Sequence, residues 1–370
     1  MRKMWAVCAL AGFLFAFGCA TTQDNQHAEK MSRPFEYSGY SAPEYGGHTK
    51  FSEYVEMNDG VKLAIDVYLP ADPLAEAPAG ELERTSFPVV LQYTPYTRSY
   101  IHPHMAWWQK IFSRMKAGTP GPIYDASLQS TTKMLLAHGY ACAVADMRGT
   151  GASFGWKMDF MPRLGQDGGE LVNWIGAQPW CDGNVGMYGG SYLGYSQLVT
   201  AGKKPAALKC IFPAVVPLDG YTGEVYPGGI YLHEFMTRYS EKMGDLNLNR
   251  LTNGLLPAAP VVDEDDDGEL VDEIPLDKNG DGDFLNDYTY PASPDDKPQY
   301  RDGAARKHIY YLATLDHAKN LEYNSWAKDG FFMDGEPPAA LAGLTSYDLS
   351  PSADVPAIMQ LGIPIYHYGG

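Results

Sequence analysis

The chain has 370 residues, of which 45% are hydrophobic and 20% are charged, as in a globular protein with one large domain and an insertion, or with two domains. The formal net charge of -17 disfavours nucleic acid or an anionic membrane face as a partner. Much of this charge is local, because residues 261–302 carry fifteen acidic side chains against three basic ones.

The first residues have the composition of an export signal. Two basic residues precede an apolar run at residues 5–17, which is too short to span a bilayer. A small residue and Cys19 follow, a pattern that resembles a bacterial lipoprotein signal in which Cys19 carries the lipid; ordinary secretion is the alternative. We therefore expect residues 1–19 to be a signal peptide and residues 20–50 a polar tether. The mature protein would be periplasmic or held at the outer membrane, touching the membrane only through that anchor.

Strand and helix patterns then alternate along the chain. Strands are predicted at residues 61–69, 87–93, 140–145, 185–188 and 208–216, and helices at 166–178 and 192–202. The first strand alternates apolar and polar residues, which predicts half-burial, whereas residues 87–93 are continuously apolar, as in a central strand. Cys142 and Cys210 lie in such runs and are expected to be small buried side chains. The alternation favours the α/β class, with a mostly parallel sheet covered on both faces.

The pattern changes after residue 217. Residues 218–355 show no clear strand, so we predict a cap inserted into a core formed by residues 51–217. Residues 356–370 contain another strand-like run and are predicted to return to the sheet.

The sequence YGGSYLG at residues 188–194 is the strongest chemical signal. It places Ser191 between a short strand and a helix, the arrangement of a nucleophile elbow, in which a glycine-flanked turn pushes the hydroxyl away from the backbone. Leu193 stands where the generic G-x-S-x-G pattern has its second glycine, and Gly194 follows one residue later. A serine nucleophile also needs a base and usually an acid to orient that base.

Further segments carry a resemblance to one family. They are MNDGVKL at 57–63, YTPY at 93–96, DMRGTGAS at 146–153 and GNVGM at 183–187, followed by an elbow of serine–tyrosine–x–glycine form. Together they resemble the CocE/NonD-type hydrolases, which include cocaine esterase, bacterial X-Pro dipeptidyl-peptidase, α-amino acid ester hydrolase and glutaryl acylase. The similarity covers about residues 52–230, with a weaker match at 361–370. It implies an α/β-hydrolase fold.

The resemblance also implies roles for individual residues. Ser191 would take the acyl group, while the Tyr96 hydroxyl and the Tyr192 backbone N–H would form the oxyanion hole. The alternative for Tyr96 is an aromatic ring packed on the sheet. Glu224 resembles one carboxylate of an ammonium-binding cluster, with a solvated loop glutamate as the alternative. Asp146 and Arg148 are expected to stabilise a turn rather than to touch substrate.

The remaining triad members are not evident in the chain. In the family, the catalytic Asp closely follows a strand that resembles residues 363–370, and the catalytic His lies further on. Both are therefore expected beyond Gly370, and the chain is interpreted as the N-terminal part of a longer enzyme with little or no turnover by itself. His233, His308, His317 and His367 are expected to be structural or surface residues, with His367 buried by its strand neighbours.

The acidic tract suggests a second hypothesis. Asp277, Asn279 and Asp281 match the first half of a calcium loop, and residues 263–268 repeat the spacing, although neither has Glu at the twelfth position. A structural calcium site and a solvated acidic loop are the two interpretations. We thus expect a serine acyl hydrolase of small carboxylic esters or amides that needs no cofactor for catalysis; the alternative is a non-catalytic, calcium-binding surface lipoprotein with the same fold.

Overall fold

The computed structural model describes residues 42–74, 85–102, 123–158, 163–250, 255–264, 309–321 and 343–369, together with 266, 268, 270, 273, 274, 279 and 281. Its strands are β1 (Tyr45–Glu56), β2 (Lys62–Pro73), β3 (Phe87–Thr94), β4 (Ser99–Ile101), β5 (Ile123–Asp125), β6 (Ala141–Asp146), β7 (Cys181–Gly190) and β8 (Leu208–Ala214). Its α-helices are α1 (Ser130–Ala137), α2 (Arg163–Gly176), α3 (Tyr192–Gly202), α4 (His233–Asn247), α5 (Ile309–His317) and α6 (Val355–Leu361). The predicted signal peptide with Cys19 lies outside the described residues.

Six strands form one mixed sheet in the order β1-β2-β6-β3-β7-β8. The β1–β2 and β2–β6 pairs are antiparallel, whereas β6, β3, β7 and β8 run parallel to their neighbours. Ile365 and Tyr368 form parallel bridges to Ile211 and Ala214, so the chain returns beside β8 as predicted. The α/β-hydrolase fold predicted from the sequence is confirmed, and the carboxyl ends of the four parallel strands meet at one edge of the sheet.

The main core lies between this sheet and the helices that follow its strands. Leu63, Ile65 and Val67 of β2 belong to it, as do Leu171 and Ile175 of α2. These side chains recur every second residue on the strand and four residues apart on the helix, which places each set on one face. Each fully buried side chain of this kind contributes about 1.5–3 kcal/mol through the hydrophobic effect.

A second cluster covers the other side of β2. Ala64 and Ile101 pack there with Leu256, Tyr310 and Tyr311, which come from the region predicted as a cap. The region predicted as a cap therefore shares a hydrophobic cluster with the sheet. Its boundaries at residues 218 and 355 stay a prediction. Within the described ranges, no helix combines the length and hydrophobicity required to cross a bilayer.

Three local predictions are wrong. The tether was expected to reach residue 50, but β1 begins at Tyr45, because its polar residues pair with β2 in an antiparallel ladder. The strand at 61–69 was expected to be half-buried, yet β2 is covered on both faces by the two clusters. Cys210 is exposed on β8, whereas Cys142 is buried as predicted.

A buried polar network holds the antiparallel strands to the loop after β3. Arg98 donates to the Asp66 carboxylate through Nη1 and to the Ala259 carbonyl oxygen at 2.5 Å through Nη2. Its backbone N–H donates to Asp146 Oδ1 at 2.6 Å. Burial raises the pKa of Asp146 to about 6, although the Arg98 charge opposes that rise. Asp146 Oδ2 also accepts from the Ala152 N–H at 2.9 Å, so Asp146 stabilises the turn after β6, as expected from the sequence.

Candidate active site

Ser191 occupies a sharp turn between a strand and a helix. β7 ends at Gly190 and α3 begins at Tyr192, so the whole reversal falls on one residue, with φ 56° and ψ -127°. A positive φ is uncommon for a residue with a side chain and requires support from its surroundings. The Ser191 N–H donates to the Ala214 carbonyl oxygen at 2.9 Å, and the Ser191 carbonyl oxygen accepts from the Gly194 N–H at 2.8 Å. These two hydrogen bonds hold the Ser191 backbone in the turn, and the serine side chain is exposed.

The displaced glycine of the motif has a packing reason. A Cβ atom on Gly194 would lie 2.9 Å from Val216 Cγ1 and 3.0 Å from the Ala214 carbonyl oxygen, because α3 crosses closely over the end of β8. The side chain of Leu193 instead points toward Gly189, where an added Cβ would lie 2.5 Å from Leu193 Cβ. The close approach in this protein thus requires glycine three residues after the serine, not two.

Tyr96 lies beside the serine hydroxyl. The residue follows β3, and its backbone is held on both sides, since its N–H donates to Thr94 Oγ1 at 3.0 Å and its carbonyl oxygen accepts from the Tyr100 hydroxyl at 3.1 Å. Its phenol oxygen is 3.4 Å from Ser191 Oγ, longer than an ordinary O–H···O hydrogen bond. The two oxygens are therefore neighbours at the site without a short bond between them.

The Tyr192 backbone is next to the serine by covalent connection. Tyr192 is the first residue of α3, and the amides in the first turn of a helix point out of its end, where the helix dipole is positive. The Tyr192 ring is buried and packs edge-to-face with the Tyr195 ring at 5.4 Å. This packing holds the start of the helix in place, so that the first amide has a defined direction.

A cavity of about 440 Å³ opens at this turn, within the size range of sites for small molecules. Ser191 and Tyr192 line it together with Glu224 and Phe235. Glu224 comes from a π-helical turn at Tyr221–Val225 and is half-buried. The remaining wall is mainly apolar and is formed by Tyr195, Val215, Val216, Pro217, Gly223 and Gly369. The structure thus brings the predicted nucleophile and the predicted carboxylate to one cavity.

Within the described part of the chain, no histidine is hydrogen-bonded to Ser191 Oγ. His367 was expected to be buried in a strand, and this is wrong: the side chain is exposed, with Nε2 3.2 Å from the Val216 carbonyl oxygen. Among the residues that the structure describes, the returning segment pairs with β8 on one side only, which leaves His367 exposed. His308 lies outside the described residues, and His233 is exposed at the start of α4.

His317 has a structural position, as predicted. It ends α5 and is buried, with Nδ1 2.6 Å from the Asn247 carbonyl oxygen and Nε2 2.6 Å from the Ser153 carbonyl oxygen. Burial lowers the pKa of His317, against the opposing effect of these two carbonyl oxygens. The residue connects the inserted region to the turn after β6.

Arg148 also acts within the fold. Its guanidinium donates to both carboxylate oxygens of Asp167, at 2.7 Å from Nε and 2.8 Å from Nη2. Asp59 and Arg163 extend this cluster, since Arg148 Nη2 lies 3.0 Å from Asp59 Oδ2 and Arg163 Nε lies 2.7 Å from Asp167 Oδ1. A bidentate pair of this kind fixes geometry as well as charge, and it joins the turn after β6 to α2.

Two residues at the site were missed in the sequence. Tyr239 and Phe235 lie four residues apart on α4, and their rings stack with centroids 5.9 Å apart. The Tyr239 hydroxyl is 3.3 Å from the Tyr96 hydroxyl. The i, i+4 spacing of two aromatic residues was visible and indicated a shared helix face. Only the folded chain shows that this face meets the elbow.

The predicted calcium ligands are only partly described. Asp277 lies outside the described residues, whereas Asn279 and Asp281 contact each other, with the Asp281 N–H donating to Asn279 Oδ1 at 2.8 Å. Among the residues that the structure describes, no group of three His, Cys, Asp or Glu side chains is placed to hold a metal ion. Calcium binding stays a prediction.

Comparison with known proteins identifies several similar hydrolases. A protein of Mycobacterium bovis named as a serine esterase is 34% identical over 265 residues, which are 68% of this chain and 39% of that protein. The cocaine esterase of Rhodococcus sp. is 34% identical over 194 residues, which are 51% of this chain and 28% of the esterase. The chain therefore spans about two fifths of the length of the Mycobacterium protein and less than a third of the length of the cocaine esterase.

A CocE/NonD family hydrolase from Staphylococcus aureus is 23% identical, with a TM-score of 0.41, over 53% of this chain and 33% of that one. The named relatives confirm the resemblance to this group of hydrolases that the motifs predicted. The model of the X-Pro dipeptidyl-peptidase (S15 family) matches residues 59–326, a range that contains Tyr96, Ser191 and Glu224. Because this match covers more than half of the chain, the protein belongs to the X-Pro dipeptidyl-peptidase (S15) family.

Proposed function

We propose that the protein is a serine acyl hydrolase that cleaves small carboxylic esters or amides through an acyl-enzyme on Ser191. One observation carries this proposal: the Ser191 hydroxyl is exposed on a positive-φ turn, 3.4 Å from the Tyr96 phenol, in the wall of a 440 Å³ cavity. An exposed nucleophile beside two oxyanion donors is the arrangement that acyl transfer requires.

The chemistry follows from these groups. Ser191 Oγ attacks the substrate carbonyl carbon, and its proton passes to a general base. The carbonyl oxygen takes the negative charge and accepts hydrogen bonds from the Tyr96 hydroxyl and the Tyr192 N–H. Collapse of this intermediate breaks the bond to the alcohol or amine, which leaves with the proton. Water then attacks the acyl-enzyme and releases the carboxylic acid and the free serine.

The base and the acid that orients it are proposed to come from outside the described residues, because no described histidine contacts the serine. The expectation that both follow Gly370 stays a prediction, as does weak turnover by this chain alone. Extending the reading frame and aligning the extension with the returning segment at 363–369 would test it. An extension that encodes no Asp soon after residue 370 and no later His would contradict it.

A fluorophosphonate probe tests the nucleophile, since it reacts with activated serines. The full-length protein, which contains the proposed base and acid, should be labelled, and Ser191→Ala in that protein should abolish labelling. Ser130→Ala removes an exposed serine from the first turn of α1 and should be labelled like the wild type. Labelling that persists in Ser191→Ala would refute the assignment.

Glu224 is proposed to attract a substrate amine. The support is its position in the wall of the same cavity as Ser191, half-buried and with a formal negative charge. Glu224→Gln should raise KM for an ester that carries a free amine and leave KM unchanged for a neutral ester of the same size. Equal changes for both esters would contradict the proposal.

The calcium site and the lipid anchor are proposed on the sequence alone. Asn279 and Asp281, with Asp277, would hold a structural calcium ion. Adding a chelator should then lower the melting temperature, and no change would remove the calcium hypothesis. For the anchor, Cys19→Ser should abolish incorporation of labelled fatty acid and release the protein from the membrane fraction.

A further inference from the structure

We propose that Tyr239 is a positioning residue for the oxyanion donor Tyr96. This inference depends on the proposed function, because it assumes that the Tyr96 phenol stabilises the oxyanion. Tyr96 Oη lies between two hydroxyl oxygens, 3.4 Å from Ser191 Oγ and 3.3 Å from Tyr239 Oη. Tyr239 lies on α4, 143 residues after Tyr96, so the inserted region supplies one neighbour of the donor.

The number of protons determines the direction of this contact. A phenol has one O–H to donate and lone pairs that accept. When Tyr96 donates its proton to the oxyanion, only its lone pairs remain available to Tyr239. Tyr239 must then be the donor and Tyr96 the acceptor, across an O···O distance of 3.3 Å that is also longer than an ordinary hydrogen bond before substrate is present. Accepting a hydrogen bond polarises the Tyr96 O–H and strengthens its own donation, since hydrogen bonds in a chain reinforce one another.

Tyr96 and Tyr239 are supported in different ways. The Tyr96 backbone is fixed by Thr94 and Tyr100, yet its phenol lies at the end of a long side chain and needs a second contact to aim it. Tyr239 can supply that contact because its own ring stacks on Phe235 one turn earlier and packs against the main core. The hydroxyl therefore approaches Tyr96 from a supported helix. Tyr239 acts through Tyr96 and is not a catalytic residue itself.

A double-mutant cycle in the full-length protein, which contains the proposed base and acid, separates this role from a general structural one. The readout is the second-order rate of fluorophosphonate labelling of Ser191. Tyr96→Phe should slow labelling by about 100-fold or more, the effect of losing one oxyanion-hole donor. Tyr239→Phe should slow it about fivefold, as expected for one net hydrogen bond. In the Tyr96→Phe background, Tyr239→Phe should have no further effect, because its target hydroxyl is already absent.

The outcomes are distinguishable. An equal slowing by Tyr239→Phe in both backgrounds would mean a structural effect and would overturn the proposal, as would no slowing in the wild-type background. Tyr347→Phe, which removes the hydroxyl of an exposed tyrosine, should label at the wild-type rate. If labelling does not depend on Ser191 at all, the proposed function fails, and a second measurement then decides the role of Tyr239.

That measurement is the ¹⁹F NMR signal of 3-fluorotyrosine placed at position 96, which requires no turnover. Tyr239→Phe should shift the resonance, because the hydroxyl in contact with the labelled ring is lost, and Tyr347→Phe should leave it unchanged. An unchanged resonance in Tyr239→Phe would show that Tyr239 does not contact the phenol and would overturn the positioning role.

Discussion

Replacing the nucleophile with glycine should make the protein more stable than replacing it with alanine. Ser191 has φ 56° and ψ -127°, close to the first central position of a type II′ turn, which strongly favours glycine. Any residue with a Cβ is strained in such a conformation, by roughly 1–3 kcal/mol. Ser191→Ala keeps the Cβ and the strain, whereas Ser191→Gly removes both.

The net gain is smaller than the strain. Glycine gives the unfolded chain more freedom, which opposes folding by about 0.4–1 kcal/mol relative to alanine. Loss of the hydroxyl is common to both variants, and this side chain makes no capping hydrogen bond to α3 among the described residues. We therefore expect Ser191→Gly to exceed Ser191→Ala in free energy of unfolding by about 0.5–2 kcal/mol.

Urea unfolding of the two variants measures this difference, provided that their m-values agree. The same pair of substitutions at Lys133, exposed in the middle of α1, should give the opposite order, since glycine is about 1 kcal/mol worse than alanine inside a helix. If Ser191→Gly is equal to or less stable than Ser191→Ala, the turn is not strained, and the reasoning from its backbone angles is refuted.

Three other predictions concern packing, charge and pH. Gly194→Ala should destabilise the protein by about 1–3 kcal/mol in urea unfolding, because the new Cβ meets the end of β8; Gly244→Ala, on α4 with open space around it, should be neutral or stabilising. Arg148→Met should lower the free energy of unfolding by about 3 kcal/mol, since it removes the bidentate partner of the buried Asp167 carboxylate; a change below 1 kcal/mol would contradict this. Burial lowers the pKa of His317 below the unfolded value of about 6.5, so the unfolded chain binds the proton first as pH falls. The contribution of His317 to the free energy of unfolding is therefore fully present above about pH 6.5 and is lost below it. His317→Gln should therefore reduce the loss in free energy of unfolding between pH 7.5 and 5.5. If that loss is the same in the variant and the wild type, His317 does not contribute to the pH dependence.

Local patterns predicted most of the sheet. The helix at 192–202 agrees with α3 at both ends, and the strand at 87–93 is one residue shorter than β3. These segments were readable because a strand buried on both faces needs an apolar side chain at nearly every position. The prediction of half-burial at 61–69 was wrong because the side chains facing the inserted region are covered by residues about 190–250 positions later in the chain.

Contacts across the site had no comparable local signal. The prediction for His367 depended on burial by its strand neighbours, but the described structure has β8 on one side only of the returning segment. The YGGSYLG sequence indicated an elbow, yet the reason for its shifted glycine is the approach of α3 to Ala214 and Val216. Glu224 could be named from the resemblance, but its place in the Ser191 cavity depends on how the turn at Tyr221–Val225 packs.

The sequence by itself determined the α/β class, the position of the elbow and the identity of the residue in it. Those features depend on hydrophobic periodicity and on backbone conformations that neighbouring residues impose. Both are encoded by segments of about ten residues. Only the tertiary structure decided that Tyr96, Tyr239 and Glu224 meet around Ser191. Such contacts join side chains that are from 33 residues (Ser191 and Glu224) to 143 residues (Tyr96 and Tyr239) apart in the chain. Their distances are set by the packing of whole helices and strands, which no short stretch of sequence contains.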